Sequence, residues 1–215
     1  MLSKKSIIIA TLFSTIALQA QAGESGSAFN GAYAGVLAGY ENFNLKNSTT
    51  GLGVLNGFST SGNYGASGKT GGIFAGYGKE FGKFYLGAEA EATLGNAEGK
   101  TNISTPIGYI YSDAKHKNDY GVSIRPGFLV SDNTLIYTRI GFIRSAFDDK
   151  AVNDKFNLNG LRLGLGTEFA VSSNINARFD WVYTNYQSYS YSDAYQISKS
   201  DINSNAFRIG VSYHF

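Results

Sequence analysis

From about residue 31 onward, apolar positions alternate with polar or glycine positions at a period of two, as in strands with two unlike faces. The clearest stretch sets Leu161, Leu163, Leu165, Thr167, Phe169 and Val171 against Gly160, Arg162, Gly164, Gly166, Glu168 and Ala170. The last segment repeats it, with Phe207, Ile209, Val211, Tyr213 and Phe215 against Arg208, Gly210, Ser212 and His214. Residues 120–130 and 175–183 follow the same rule, with Arg125, Arg178 and Asp180 on the polar faces. Weaker alternation over 33–41, 73–78, 85–94 and 136–142 adds four more, so the pattern predicts eight strands.

The connections between these segments alternate in length. Short turns are expected at Phe81-Gly82-Lys83, Ser131 to Thr134 and Ser172-Ser173-Asn174, and longer polar loops at roughly 45–69, 96–118, 148–155 and 188–204. An even strand count with short turns on one side and long loops on the other describes a bacterial outer-membrane barrel. The fold class predicted is therefore all-β: an eight-stranded antiparallel transmembrane β-barrel of up-and-down topology. Both termini then fall on the short-turn, periplasmic side. A soluble barrel also alternates, but its water-facing positions are dense in Lys and Glu. Here the face opposite the apolar one is mostly Gly, Ser and isolated charges. Aromatics also end several apolar faces (Tyr40, Tyr77, Phe142, Trp181, Tyr183, Phe215), as interface girdles require.

The first residues bear on the compartment. Lys4 and Lys5 precede an uncharged apolar run, Ile7 to Leu18, and Ala20-Gln21-Ala22 places small residues where a signal peptidase reads them. The run is shorter than the roughly 20 residues of a spanning helix. Residues 1–22 are thus expected to be a cleaved signal peptide with Ala20 and Ala22 at its processing site, and 23–215 the barrel domain. Of 18 Lys and Arg the leader holds two, and it holds none of the 16 acids, so the mature chain is formally neutral. That balance gives no reason to expect a nucleic-acid partner. With no cysteine, disulfides and thiolate chemistry are excluded. Charged residues make up 16% of the chain, below the roughly 25% of soluble domains, which again favours lipid over water.

Candidate chemistry resides in the inward charges. Glu89, Arg125, Arg139, Glu168 and Arg178 each lie about four to six residues from a short turn or strand end, so at roughly 3.3 Å per residue they share a depth. Isolated charges in a narrow lumen are costly, so opposite signs are expected to pair. A wider set adds Arg162, Arg208, Glu91 and Asp180. Eight strands leave an interior that side chains can just fill, so this network reads either as a structural plug or as the gate of a narrow ion path. Catalysis is not expected. His116 falls in a predicted loop near Ser112 and Asp113, and His214 faces inward at the periplasmic end. Two distant histidines without cysteine make a poor metal site, and no cofactor motif is present. The loops are rich in Asn, Ser, Gly and Thr, a composition suited to outer-surface cover and to binding a host-surface ligand.

Several segments resemble a known family. Thr134-Leu135-Ile136-Tyr137-Thr138-Arg139-Ile140-Gly141, Gly166-Thr167-Glu168-Phe169-Ala170-Val171, Ala177-Arg178-Phe179-Asp180 and the ending Gly210 to Phe215 look like strands of the OmpA-like transmembrane domain. Gly31-Ala32-Tyr33-Ala34-Gly35 and Phe81 to Gly87 are similar to small porin-family surface antigens. The resemblance implies a switchable lumen salt-bridge network at Glu89, Arg125, Glu168 and Arg178, although Arg125 stands where the family often has Lys. The sequence stops at Phe215, so tethering through a periplasmic peptidoglycan-binding domain is not expected. Tyr213-x-Phe215 resembles the terminal signal read by the barrel-assembly machinery. The expectation is a non-enzymatic, monomeric barrel in outer-membrane lipid that supports envelope integrity and presents loops as an adhesin or surface antigen. A narrow porin-like channel and a lipid-modifying enzyme are the second and third readings.

Overall fold

In the computed structural model the described residues are 27–53, 57–105, 108–149, 154–192 and 196–215. The expected signal peptide, with Ala20 and Ala22, lies outside them. The strands are β1 (Gly31–Gly51), β2 (Ser59–Phe81), β3 (Phe84–Gly95), β4 (Glu98–Thr105), β5 (Gly108–Ser131), β6 (Thr134–Asp149), β7 (Asp154–Ala170), β8 (Ile175–Tyr186), β9 (Tyr189–Ser192) and β10 (Gln196–His214). Eight of them (β1, β2, β3, β5, β6, β7, β8 and β10) pair antiparallel in sequence order, and β10 returns to β1 to close the ring. The closing seam runs from Tyr33↔His214 to Gly51↔Gln196. Closure removes the exposed edges that an open sheet would present.

Alternation sets which side chains face out. Tyr120, Val122, Ile124, Phe128 and Val130 on β5 are exposed, as are Phe207, Ile209, Val211 and Tyr213 on β10. From Tyr120 to Val130 the chain advances ten residues. At about 3.3 Å per residue and a tilt of about 40°, that covers roughly 25 Å along the axis, the height of an outer-membrane apolar band.

The predicted short turns are where the chain reverses, between β2 and β3, β5 and β6, and β7 and β8. Gly82 supplies the first with a positive φ of 64°, a conformation glycine adopts without a Cβ penalty. The other side differs from expectation: much of what reads as loop is paired strand. Beyond Tyr40, β1 stays in register with β2 from Glu41↔Gly68 to Thr50↔Ser59. Residues 98–105 and 108–115 form a second hairpin, and β9 pairs with β10. Asn44, Lys46, Asn47 and Ser48 are polar on both faces, so period-two patterning is silent there. Backbone pairing, which needs no apolar face, satisfies the chain.

The interior is filled with side chains. Near the periplasmic end Phe29 is wholly buried against Tyr85, Leu135 and Tyr137. Residues 27–30 fold across this mouth, held by Asn176 Nδ2 donating to the Ala28 carbonyl (3.0 Å) and Glu80 N donating to Asn30 Oδ1 (2.7 Å). Inward glycines make room for the rings: a Cβ on Gly76 would lie 2.5 Å from the Tyr33 ring, and one on Gly166 2.4 Å from that of Tyr137.

Candidate functional site

Inward positions of six strands converge on the middle of the lumen. The carboxylate of Glu89 (β3) is the hub. It accepts hydrogen bonds from Arg178 Nη1 (2.7 Å), Arg139 Nη2 (2.8 Å), Tyr33 Oη (3.0 Å) and Arg125 Nη1 (3.2 Å). Glu168 (β7) takes Arg125 Nη2 at 2.5 Å and Asn176 Nδ2 at 3.0 Å. All five residues singled out in the sequence (Glu89, Arg125, Arg139, Glu168 and Arg178) therefore lie in one connected network, each at most 4% exposed.

Cross-strand neighbours are not the ion pairs. Glu168 and Arg178 face each other in the β7–β8 register, yet Arg178 reaches to Glu89 and Glu168 binds Arg125. Long guanidinium side chains span a lumen of this width, so strand register does not dictate partners. Arg125 also stacks on Tyr137, with its guanidinium carbon 3.8 Å from the ring centroid, and Arg178 on Phe74 at 3.4 Å. Such contacts favour arginine, whose planar, weakly hydrated cation pairs and stacks at once. The Arg125 guanidinium reaches Glu89 and Tyr33 through Nη1 and Glu168 through Nη2.

A second hub sits further toward the outer side. Glu91 accepts from Arg139 Nη1 (2.9 Å), Arg208 Nη1 (3.0 Å) and Arg162 Nη1. Asp180 accepts from Tyr137 Oη (2.7 Å) and has Arg178 Nε 3.3 Å away. Arg139 thus links the two hubs.

Beyond this layer is a group the sequence reading missed. Glu41, His116 and Asp119 are each no more than 2% exposed. His116 is neither in a loop nor solvated, which corrects the expectation for it. It lies in β5, its ring packed against Phe43 and Phe147, and its Nε2 is 2.7 Å from Asp119 Oδ1. Three residues apart on a regular strand, the two would face opposite sides. A register shift between His116 and Asn118 turns both inward, the effect a β-bulge has on the side chains beside it. Phe43, Phe147 and Tyr186 pack as an aromatic cluster around them. His214, at the other end, stacks on Tyr33 (centroids 5.1 Å apart) and lies 3.3 Å from Glu168 Oε1.

Tyr213 and Phe215 are exposed and pack edge to face, with centroids 5.3 Å apart. They stand on the lipid side at the periplasmic rim, where Phe215 N donates to the Ala32 carbonyl (3.0 Å).

Comparison with known proteins agrees with this architecture. OprG from Pseudomonas aeruginosa superposes with a TM-score of 0.54 at 16% identity, covering 89% of this chain and 99% of that one. Neisserial surface protein A matches at 0.46 and 16% identity over 83% and 99% of the two chains. Ail of Yersinia pestis, the attachment invasion locus protein, matches at 0.44 and 13% identity over 85% and 98%. At 16% identity the likeness to OprG speaks to fold alone. No curated protein matches the sequence. The outer membrane protein beta-barrel domain model, however, matches residues 8–215. The chain belongs to this family of outer-membrane β-barrels.

Proposed function

We propose that the protein is a closed, non-catalytic membrane anchor that strengthens the envelope and holds a β-hairpin platform above the outer surface for contact with other surfaces. The observation that carries this reading is the contrast between a filled lumen and long external strands. Arg125 and the Glu89 side chain are wholly buried, as in an eight-stranded lumen filled by its own side chains. Meanwhile β1 continues eleven residues beyond Tyr40, to Gly51, paired throughout with β10. At about 3.3 Å per residue and a tilt of about 40°, the hairpin stands roughly 28 Å above the outer girdle. That is as tall as the apolar band itself. Such a raised polar surface suits ligand presentation.

The exposed faces of the platform are uncharged or mixed. Thr49 and Ser198 hydroxyls pair at 3.1 Å, and Lys199 lies 3.3 Å from Asp201. The Ser188 hydroxyl donates to Asp201, and together with Lys199 it holds that carboxyl below its ordinary range. Amide- and hydroxyl-rich surfaces of this kind suit a hydrated, polar partner such as a matrix polysaccharide or glycoprotein.

The test replaces residues 46–63 by a two-residue Asn-Gly turn, which leaves Leu45 opposite Tyr64 as in the β1–β2 register. The shortened protein is expected to assemble at wild-type levels and to keep cells resistant to detergent. Binding of those cells to immobilised extracellular matrix should fall to the level of cells lacking the protein. Unchanged binding by the shortened protein refutes the platform role.

A further inference from the structure

In the upper lumen the buried carboxylates outnumber the cations that pair with them unless His116 is protonated. Among the described residues, the buried carboxylates are Glu41, Glu89, Glu91, Asp119, Glu168 and Asp180, and the buried guanidiniums are Arg125, Arg139, Arg162, Arg178 and Arg208. With both buried histidines neutral, these described side chains are one cation short. The lower layer accounts for itself, with Glu89, Glu168 and Asp180 against Arg125, Arg139 and Arg178. Glu91 occupies Arg162 and Arg208. The shortfall therefore lies with Glu41 and Asp119, beside His116.

Those three residues also have the geometry of a ligand set. One carboxylate oxygen each from Glu41 and Asp119 and a ring nitrogen of His116 lie within 4.8 Å of one another. Each carboxylate is anchored by a hydroxyl: Ser204 Oγ donates to Glu41 Oε1 (2.8 Å) and Thr93 Oγ1 to Asp119 Oδ2 (2.9 Å). The second oxygen of Glu41, Oε2, is buried without a partner, as is His116 Nδ1. An unpaired buried carboxylate oxygen is expensive to maintain. The backbone has been shaped for this cluster. The bulge at Lys117 brings His116 to the same side as Asp119. Gly95 leaves space for the imidazole, since a Cβ there would fall 2.2 Å from His116 Nδ1.

We infer that Glu41, His116 and Asp119 bind a divalent transition-metal ion of the zinc type. One imidazole and two carboxylates suit Zn²⁺ or its neighbours better than Mg²⁺ or Ca²⁺, which take oxygen donors. Three protein ligands leave a fourth position for water, and the hydroxyls of Ser204 and Thr93 orient the carboxylates from behind. With metal–ligand bonds near 2.1 Å, tetrahedral donors stand about 3.4 Å apart. His116 Nε2 and Asp119 Oδ1, now 2.7 Å apart, therefore separate by about 0.7 Å on binding, while Glu41 draws in. The proton on Nε2 leaves with the metal's arrival. Glu41 is on β1 and the other two on β5, which are not neighbours in the ring. The ion thus staples strands three apart in the ring, beside the aromatic cluster.

The sequence makes the test clean, because the chain has no cysteine and only two histidines. Untagged protein, residues 23–215, refolded in detergent and stripped with chelator, is titrated with ZnCl₂ by calorimetry, and with CoCl₂ by visible absorption. The expected result is one ion per barrel, with affinity falling about 100-fold in both Glu41→Gln and His116→Gln and unchanged in His214→Gln. Each variant is first shown to be folded by its unboiled gel mobility. If His116→Gln does not fold, imidazole NMR of the wild type replaces it: zinc should shift the His116 signals and leave those of His214 in place. Folded wild type that binds no zinc at millimolar concentration overturns the inference, with a protonated His116 then closing the charge balance alone. Binding that survives Glu41→Gln, or that moves only His214, also overturns it.

Discussion

Replacing Glu89 by Gln removes one charge from the hub and almost no volume. The Glu89 side chain is wholly buried and accepts from three arginines and Tyr33. In the wild type the layer balances: Arg125, Arg139 and Arg178 face Glu89, Glu168 and Asp180. After substitution it carries one uncompensated positive charge, and the new amide NH₂ points at a guanidinium. Breaking a buried ion pair by removing one partner costs about 3–5 kcal/mol. Because three arginines lose their shared acceptor, the upper part of that range applies, about 4–5 kcal/mol. For a domain of this size 1 kcal/mol moves Tm by about 2–4 °C, so Tm should fall by about 8–20 °C. The assay is thermal unfolding of the refolded barrel in detergent, followed by far-UV circular dichroism and by the temperature at which gel mobility changes. Combining Glu89→Gln with Arg178→Gln restores the charge balance, so the double variant should lose clearly less than the sum of the single losses. A fall under about 2 °C in Glu89→Gln, or strict additivity in the double variant, would falsify the hub.

Further expectations follow from neighbouring contacts. Arg178→Glu sets two carboxylates against each other at Glu89 and should lower the unfolding midpoint by more than Arg178→Gln; equal losses count against the shared network. Tyr33→Phe removes two hydrogen bonds to charged groups, one donated to Glu89 and one accepted from Arg125 Nη1, and should cost at least about 1.5–3 kcal/mol, read in the same melts; no change would show that Tyr33 is a bystander. Gly166→Val drives a side chain into the Tyr137 ring, which a Cβ alone would approach to 2.4 Å, so the folded fraction after refolding should drop several-fold; normal yield contradicts the tight fit. Deleting Phe215 removes the partner of Tyr213 and is expected to reduce the amount of barrel assembled in cells, measured in outer-membrane fractions; wild-type amounts argue against a terminal assembly signal.

The transmembrane half of the fold was legible because lipid imposes a strict rule: residues such as Leu161, Leu163 and Leu165 must face out, and Gly160, Arg162 and Gly164 in. That rule ends at the outer girdle. Above Leu45 β1 is polar on both faces, so Lys46, Asn47 and Ser48 carry no information about pairing, and strands there look like loops. The inward charges were visible as interruptions of the polar face, but their partners were not. Arg178 bypasses its cross-strand neighbour Glu168 for Glu89 on the far wall. His116 was misplaced, and Asp119 passed over, for a different reason. One bulge at Lys117 breaks the period-two count, and nothing in the local composition of His116-Lys117-Asn118-Asp119 announces it. Phe29 lies before the first alternating segment, so its role in stopping the periplasmic mouth could not be read from periodicity.

The central claim is that the lumen is sealed by its own side chains, and single-channel recording of the refolded barrel in a planar lipid bilayer tests it most directly. Wild-type protein, shown to be inserted by protease protection, should be silent, and Glu89→Gln should admit brief small openings as the hub loosens. Reproducible steps from the wild type, altered by Arg178→Glu, would contradict the sealed anchor and make the same arginines and glutamates the gate of a narrow channel.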